Sequence, residues 1–177
     1  VVSGTITCST TAPTLPSITI PLMASGGQSG NGDAAVLTGS DLESITAEAI
    51  ARWASTGLSQ TQLDLLSSVS FAIADLSGGR LAESFAGGVR IDIDAAGYGW
   101  FVDPTPEDDD EFDAENRALG GSAAEGRMDL LTVIMHEFGH VLGFGHSDED
   151  SLMGETLELG TRYEPVVDQA LEELFTH

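Results

Sequence analysis

The sequence predicts an α+β fold: a small sheet, one long central helix and a helix at each end. Three patterns carry that prediction. Val69–Ile73 and Val89–Asp94 alternate apolar and polar residues, as half-buried strands do. Met128–Leu142 is the strongest helix pattern in the chain, with Gly143 placed to stop it. Ser40 and Glu43 have the spacing of a capping box ahead of Leu42, Ile45, Ala49 and Trp53, which share one helical face.

The remaining elements follow in chain order. Residues 1–37 are rich in Ser, Thr, Gly and Pro and read as an N-terminal segment, a linker or a prosegment, ahead of a domain at 38–177. Within that segment Ala24–Asp33 reads as a flexible linker. Gly57 ends the first helix, and Ser59 with Gln62 offers a second box before a short helix through Leu66. Tyr98–Val102 is a further strand candidate, stopped by Pro104 and Pro106. Glu107–Asp113 must lie in a loop, because so dense a run of carboxylates cannot pack in a core. Pro165 opens a last amphipathic helix to about Phe175.

The 177 residues suit one domain with a substantial core, and 41 % of them are apolar. The charge is lopsided: 29 acidic residues face 6 basic ones, a formal −23, and every basic residue is an arginine. Such a surface repels phosphate backbones and anionic lipid, which excludes nucleic acid as a partner. No apolar run reaches the ~20 residues of a membrane span. Cys8 is the single cysteine, so no internal disulfide forms. The start, Val1-Val2-Ser3-Gly4, lacks the character of a leader and reads as a piece of a longer precursor.

The chemistry concentrates in the central helix and the turn after it. His136-Glu137-Phe138-Gly139-His140 followed by Gly143 and His146 spells H-E-x-x-H-x-x-G-x-x-H. Histidines four apart stand one helical turn, ~6 Å, apart on the same face, so both reach one ion. Gly143 tolerates positive φ, and a sharp turn there swings His146 back as a third ligand. Three neutral imidazoles leave a fourth tetrahedral position open for water, as a catalytic zinc site requires. Glu137 points about 100° away from His136 around the helix. It is therefore placed to take the proton of a metal-activated water and pass it to a leaving amine. From this chain's own composition the pattern arises by chance with a probability on the order of 10⁻⁵.

The eleven residues resemble the signature of the metzincin clan of zinc endopeptidases. That clan also has a turn with a methionine beneath the metal, and Ser151-Leu152-Met153-Gly154 fits it. Ser147, directly after the third histidine, resembles the matrixin (matrix-metalloproteinase-like) branch. Glu155 occupies the position where astacin-like and serralysin-like enzymes have an extra tyrosine ligand. Gly97–Pro106 with the acidic tract resembles matrixin-like modules of large bacterial secreted or surface proteins. The resemblance implies a small, twisted, mostly parallel sheet, a long active-site helix, a methionine turn and a C-terminal helix. It implies catalysis by Glu137, one zinc on His136, His140 and His146, site support from Met153 and Gly143, and protein or peptide substrates. Leu157–Pro165 would shape the pocket for the residue after the scissile bond. A monomer that is secreted or held at the cell surface is the expected setting.

The chain also departs from the vertebrate matrixins. No histidine precedes His136, so their second, structural zinc has no ligands here. Calcium is the structural ion this sequence could hold, with Asp92, Asp94, Asp103, Asp108, Asp109, Asp110, Glu111 and Asp113 as candidate oxygen ligands. A solvated acidic loop explains the same residues. Cys8 is either an inert thiol or a zinc switch that keeps the enzyme latent by replacing the water. Two rivals to an active peptidase follow, a latent zymogen and a non-catalytic, metal-stabilised interaction module. Trp53, Trp100, Phe138 and Phe144 read as core residues.

Overall fold

A computed structural model describes residues 21–29, 34–85, 88–147 and 151–166. Among the described residues the elements follow in the order β1 (Leu22–Ala24), α1 (Gly39–Ser55), α2 (Gln60–Ser67), β2 (Ser70–Ala74), β3 (Arg80–Phe85), β4 (Gly88–Asp92), β5 (Trp100–Phe101), β6 (Met128–Asp129), α3 (Leu130–Val141) and β7 (Thr156–Leu157). Five strands form one sheet in the order β2-β4-β3-β1-β7, while β5 and β6 pair separately. The sheet is mixed: β2 with β4 and β1 with β7 run parallel, and β3 runs antiparallel to both of its neighbours. This is the predicted α+β class, and two of the four strand pairings in the sheet are parallel.

Helix α1 starts two residues earlier than the Ser40 box implies. Thr38 is the N-cap and Asp41 closes the box, its carboxylate accepting the Thr38 backbone N–H at 2.9 Å. Both boxes leave the same residues inward, and Leu42, Ile45, Ala49 and Trp53 are all buried. The Ser59–Gln62 box at α2 and the turn at Gly57 are as the sequence predicts. Helix α3 begins later than the apolar pattern suggests, because Asp129 caps it by accepting the Thr132 N–H at 3.1 Å, and Met128 instead pairs with Trp100. The predicted C-terminal helix lies, from residue 167 on, outside the described residues.

Two elements differ from the expectation. Leu22–Ala24, at and before the start of the supposed linker, is an interior strand, and Leu22 and Ala24 are buried. Ser25 and Ser29 continue that attachment by donating backbone N–H groups to Leu157 and Ala96. Too short for a periodic signal, β1 forms because β3 and β7 supply partners on both sides. The second is β3, whose Arg80-Leu81-Ala82-Glu83-Ser84-Phe85 has no clean alternation, since Leu81 and Ala82 are both buried.

The core lies between this sheet and helices α1 and α3. Trp53 joins the two helices by donating its indole N–H to the Met135 carbonyl at 3.0 Å. It also packs on Phe144 with ring centroids 5.5 Å apart, while Phe71 meets Phe138 edge-on at 5.9 Å. Burial of Trp53, Trp100 and Phe138 agrees with their reading as core residues. Among the described residues no helix is long and apolar enough to cross a membrane.

Arg162 organises the opposite end of α3. It is 1 % exposed and bonds the α3 cap through two nitrogens, Nη2 to Asp129 Oδ1 at 2.8 Å and Nε to Oδ2 at 3.1 Å. Its Nη1 lies 2.8 Å from Asp103 and 2.9 Å from Asp109. The guanidinium stands over the Phe112 ring at 4.4 Å and near Phe101. Burial opposes its charge, yet Asp129, Asp109 and Asp103 outweigh that cost and raise its pKa further. Arg52 adds Glu48, Asp109 and Glu164 from the side of α1. Replacing Arg162 by methionine should cost about 3–5 kcal/mol, because Asp103 and Asp129 then stay buried without a counter-charge. Denaturant unfolding checks this against Arg90→Met on the surface, expected within about 0.5 kcal/mol of wild type.

Candidate metal centre and active site

The three histidines come together as their spacing requires. His136 and His140 stand one turn apart on α3, Leu142 caps the helix, and Gly143 takes φ 97° to reverse the chain. That reversal brings His146 Nε2 to 3.1 Å from His140 Nε2 and 3.3 Å from His136 Nε2. Ligands at ordinary Zn–N distances around a tetrahedral zinc would sit about 3.3 Å from each other. The spacing therefore fits that ion.

Tautomers support the same fit. His136 Nδ1 is 2.7 Å from the Leu152 carbonyl, and His140 Nδ1 is 3.0 Å from the Phe144 carbonyl. A carbonyl only accepts, so each Nδ1 carries the hydrogen and each Nε2 turns its lone pair to the centre. Burial first, then the neighbouring His140, pushes the pKa of His136 down to about 3. Burial likewise lowers that of His140. Neutral imidazoles with converging lone pairs are a donor set for a borderline-soft divalent cation. His146 is held differently: its Nδ1 is buried without a hydrogen-bond partner and lies 4.0 Å from Glu155.

Gly143 follows the cap of α3, and Met153 lies in the turn after the third histidine. Ser151 to Gly154 is a tight turn, closed by the Gly154 N–H donating to the Ser151 carbonyl at 3.0 Å. The Ser147 N–H donates to the Met153 carbonyl at 2.9 Å, which ties the segment carrying His146 to the turn. Sequence reasoning missed Gly139, although a glycine inside so strong a helix is a signal in itself. A Cβ there would stand 2.3 Å from Met153 Sδ, so the thioether packs where a side chain is absent.

Glu137 is fully buried on the same helix. Ser84 Oγ on β3 donates to its Oε2 at 2.6 Å, and Oε1 is buried with no partner. Burial raises the pKa of Glu137 to about 7 against the pull of the Ser84 hydrogen bond, and Glu83 adds to the rise. Ser84 was not legible beforehand, since it sits in the strand that left no periodic signal. Beside the histidines, a cleft of about 550 Å³ is lined by Trp53, Phe144, Met153, Thr161, Tyr163 and Glu164, among others.

The acidic candidates do not gather into one site. Asp92 is 1 % exposed, and its two oxygens accept backbone N–H groups from Leu76 and Ala96, both at 2.6 Å. Asp94 accepts the Gly97 N–H at 2.8 Å. Together they hold a turn in which Ala95 and Ala96 take φ of 57° and 55°, a conformation that alanine resists. Asp103 and Asp109 belong to Arg162. Asp108 accepts the Asp110 N–H, and Asp113 accepts those of Glu115 and Arg117. Glu111 is the exception, with Oε2 buried and without a partner. Cys8 lies outside the described residues.

Comparison with known proteins agrees with this geometry. The profile of the matrixin family of peptidases matches residues 31–170. The chain belongs to the matrixin family. It is 30 % identical over 129 residues to metalloendoproteinase 2-MMP of Arabidopsis thaliana, an alignment covering 69 % of this chain. The chain spans about 33 % of the length of that relative. No solved structure matches the chain significantly.

One outcome isolates Glu137. In the metal-free protein its folded pKa of about 7 exceeds its ordinary 4.5, so its contribution to stability is full below pH 4.5 and lost as pH rises through 7. His136, lowered to about 3 from 6.5, works with the opposite sign between those values. Glu137→Gln removes only the first contribution. Relative to wild type, the variant should gain stability from pH 4.5 upwards, reaching about 3 kcal/mol at pH 8. Urea unfolding of both zinc-free chains at pH 5 and 8 measures it, and a pH-independent difference would contradict the assignment.

Proposed function

We propose that this chain is a zinc-dependent endopeptidase that hydrolyses peptide bonds, with Glu137 as general base and acid. The observation that carries the reading is the pairing of three converging imidazole nitrogens with a buried carboxylate on the next helical position. His136, His140 and His146 would hold the zinc, which when bound supplies a Lewis acid to polarise the scissile carbonyl and lower the pKa of water. The chain's own residues supply the rest. Glu137 Oε1 takes a proton from the attacking water and delivers it to the leaving amine. The raised proton affinity of Glu137 suits a group that must hold a proton between those two steps. The cleft beside Met153 and Tyr163 receives the side chain after the scissile bond, a role the matrixin resemblance suggests for Leu157–Pro165.

The wider setting belongs to the same proposal. The domain, with β1 part of its sheet, acts outside the cell or at its surface, where ions screen the chain's formal charge of −23. Calcium would be a second ion of the acidic loop, for which the unpartnered Glu111 oxygen is the supporting feature. Residues 1–20, with Cys8, would then be the segment that regulates access.

The test is cleavage of casein by the zinc-loaded chain beside Glu137→Ala and His140→Ala. Glu137→Ala should keep about one zinc and lose roughly 10²–10⁴-fold in activity. His140→Ala should lose both metal and activity. Zinc binding without cleavage would favour a latent enzyme or an interaction module, and deleting residues 1–20 separates the two by restoring activity only to the former. Absence of zinc from the wild type would sink the reading.

A further inference from the structure

The two oxygens of Glu137 stand in different surroundings. Oε2 accepts the Ser84 hydroxyl at 2.6 Å across 53 residues of sequence, while Oε1 is buried and has no hydrogen-bond partner. A buried acceptor without a partner is costly, and such an atom persists where the surrounding structure holds it in place. Ser84 is what holds it. The residue lies on β3, antiparallel to β4 with Ser84 opposite Val89, and β3 packs directly against α3. Alternation along the strand puts Ala82 on the same face, where it is fully buried, so the hydroxyl projects from a packed surface and not from a loop. A serine hydroxyl reaches the carboxylate with a single rotatable bond, which makes the contact rigid.

We propose that Ser84 is a positioning residue for the reaction, fixing the rotamer of Glu137 by occupying Oε2 and thereby presenting Oε1 as the proton-accepting oxygen. This rests on the peptidase reading above and adds the division of labour within one carboxylate. Removing an outer partner of this type costs about 10–100-fold in activity. Ser84→Ala should therefore lower kcat by that factor while KM stays within about 2-fold, since no substrate contact is removed. Ser84→Thr, which keeps the hydroxyl, should recover kcat to within about 5-fold of wild type. Zinc content should be the same in all three proteins.

A second measurement does not involve activity. In the zinc-free chain, Ser84→Ala should lower the unfolding midpoint of wild type but leave that of Glu137→Ala unchanged, because the partner is already gone. Equal kcat in wild type and Ser84→Ala would overturn the positioning role and leave the peptidase reading intact. So would equal losses in Ser84→Ala and Ser84→Thr, or equal midpoint shifts in both backgrounds. A zinc-loaded wild type that cleaves nothing, even after deletion of residues 1–20, would overturn both together.

Discussion

A buried guanidinium decides where the histidine-bearing helix begins. Arg162 comes from the segment after the methionine turn, yet its strongest bonds go to Asp129, the residue that caps α3. Asp129 thus satisfies both a helix N-terminus and a buried cation, and either duty alone would leave the other group costly. The same guanidinium draws in Asp103 and Asp109 from the loop after β5, so three separate stretches of chain meet at one charge. Helix α3 is held at its start by charge and along its length by Trp53 and the sheet. Its histidines inherit that fixed orientation.

Much of the site was legible because helical geometry and metal chemistry are both local. His136, Glu137 and His140 are fixed relative to one another by the helix, and Gly143 and His146 lie within five residues of its end. No distant pairing had to be guessed. The class of fold was legible for the same reason, through the capping boxes, the apolar pattern of α3 and the alternation in β2 and β4. What could not be read were interactions that join distant segments. Leu22–Ala24 is a strand only because β3 and β7 flank it, and three residues carry no period. Ser84 meets Glu137 through a strand register that no local pattern records.

The acidic residues show a different limit. Composition alone presented Asp92, Asp94, Asp103 and Asp109 as an undivided reserve of oxygen ligands. The structure divides them by partner: backbone N–H groups for the first two, arginine for the others. A carboxylate's job depends on the donor it meets, and in this chain the donors sit far away in sequence. Arg52 and Arg162, two of only six basic residues, account for much of that order.

The two histidines of α3 are oriented by carbonyl groups of Leu152 and Phe144, not by side chains. Every residue type offers that carbonyl, so the identity of the side chain at 144 and 152 is released from any duty toward ligand orientation. These two positions border the cleft. Substitutions at 144 and 152 would therefore reshape the cavity wall while leaving the imidazoles their carbonyl partners. The shape of the cleft and the orientation of the imidazoles are thus carried by the same residues through different atoms.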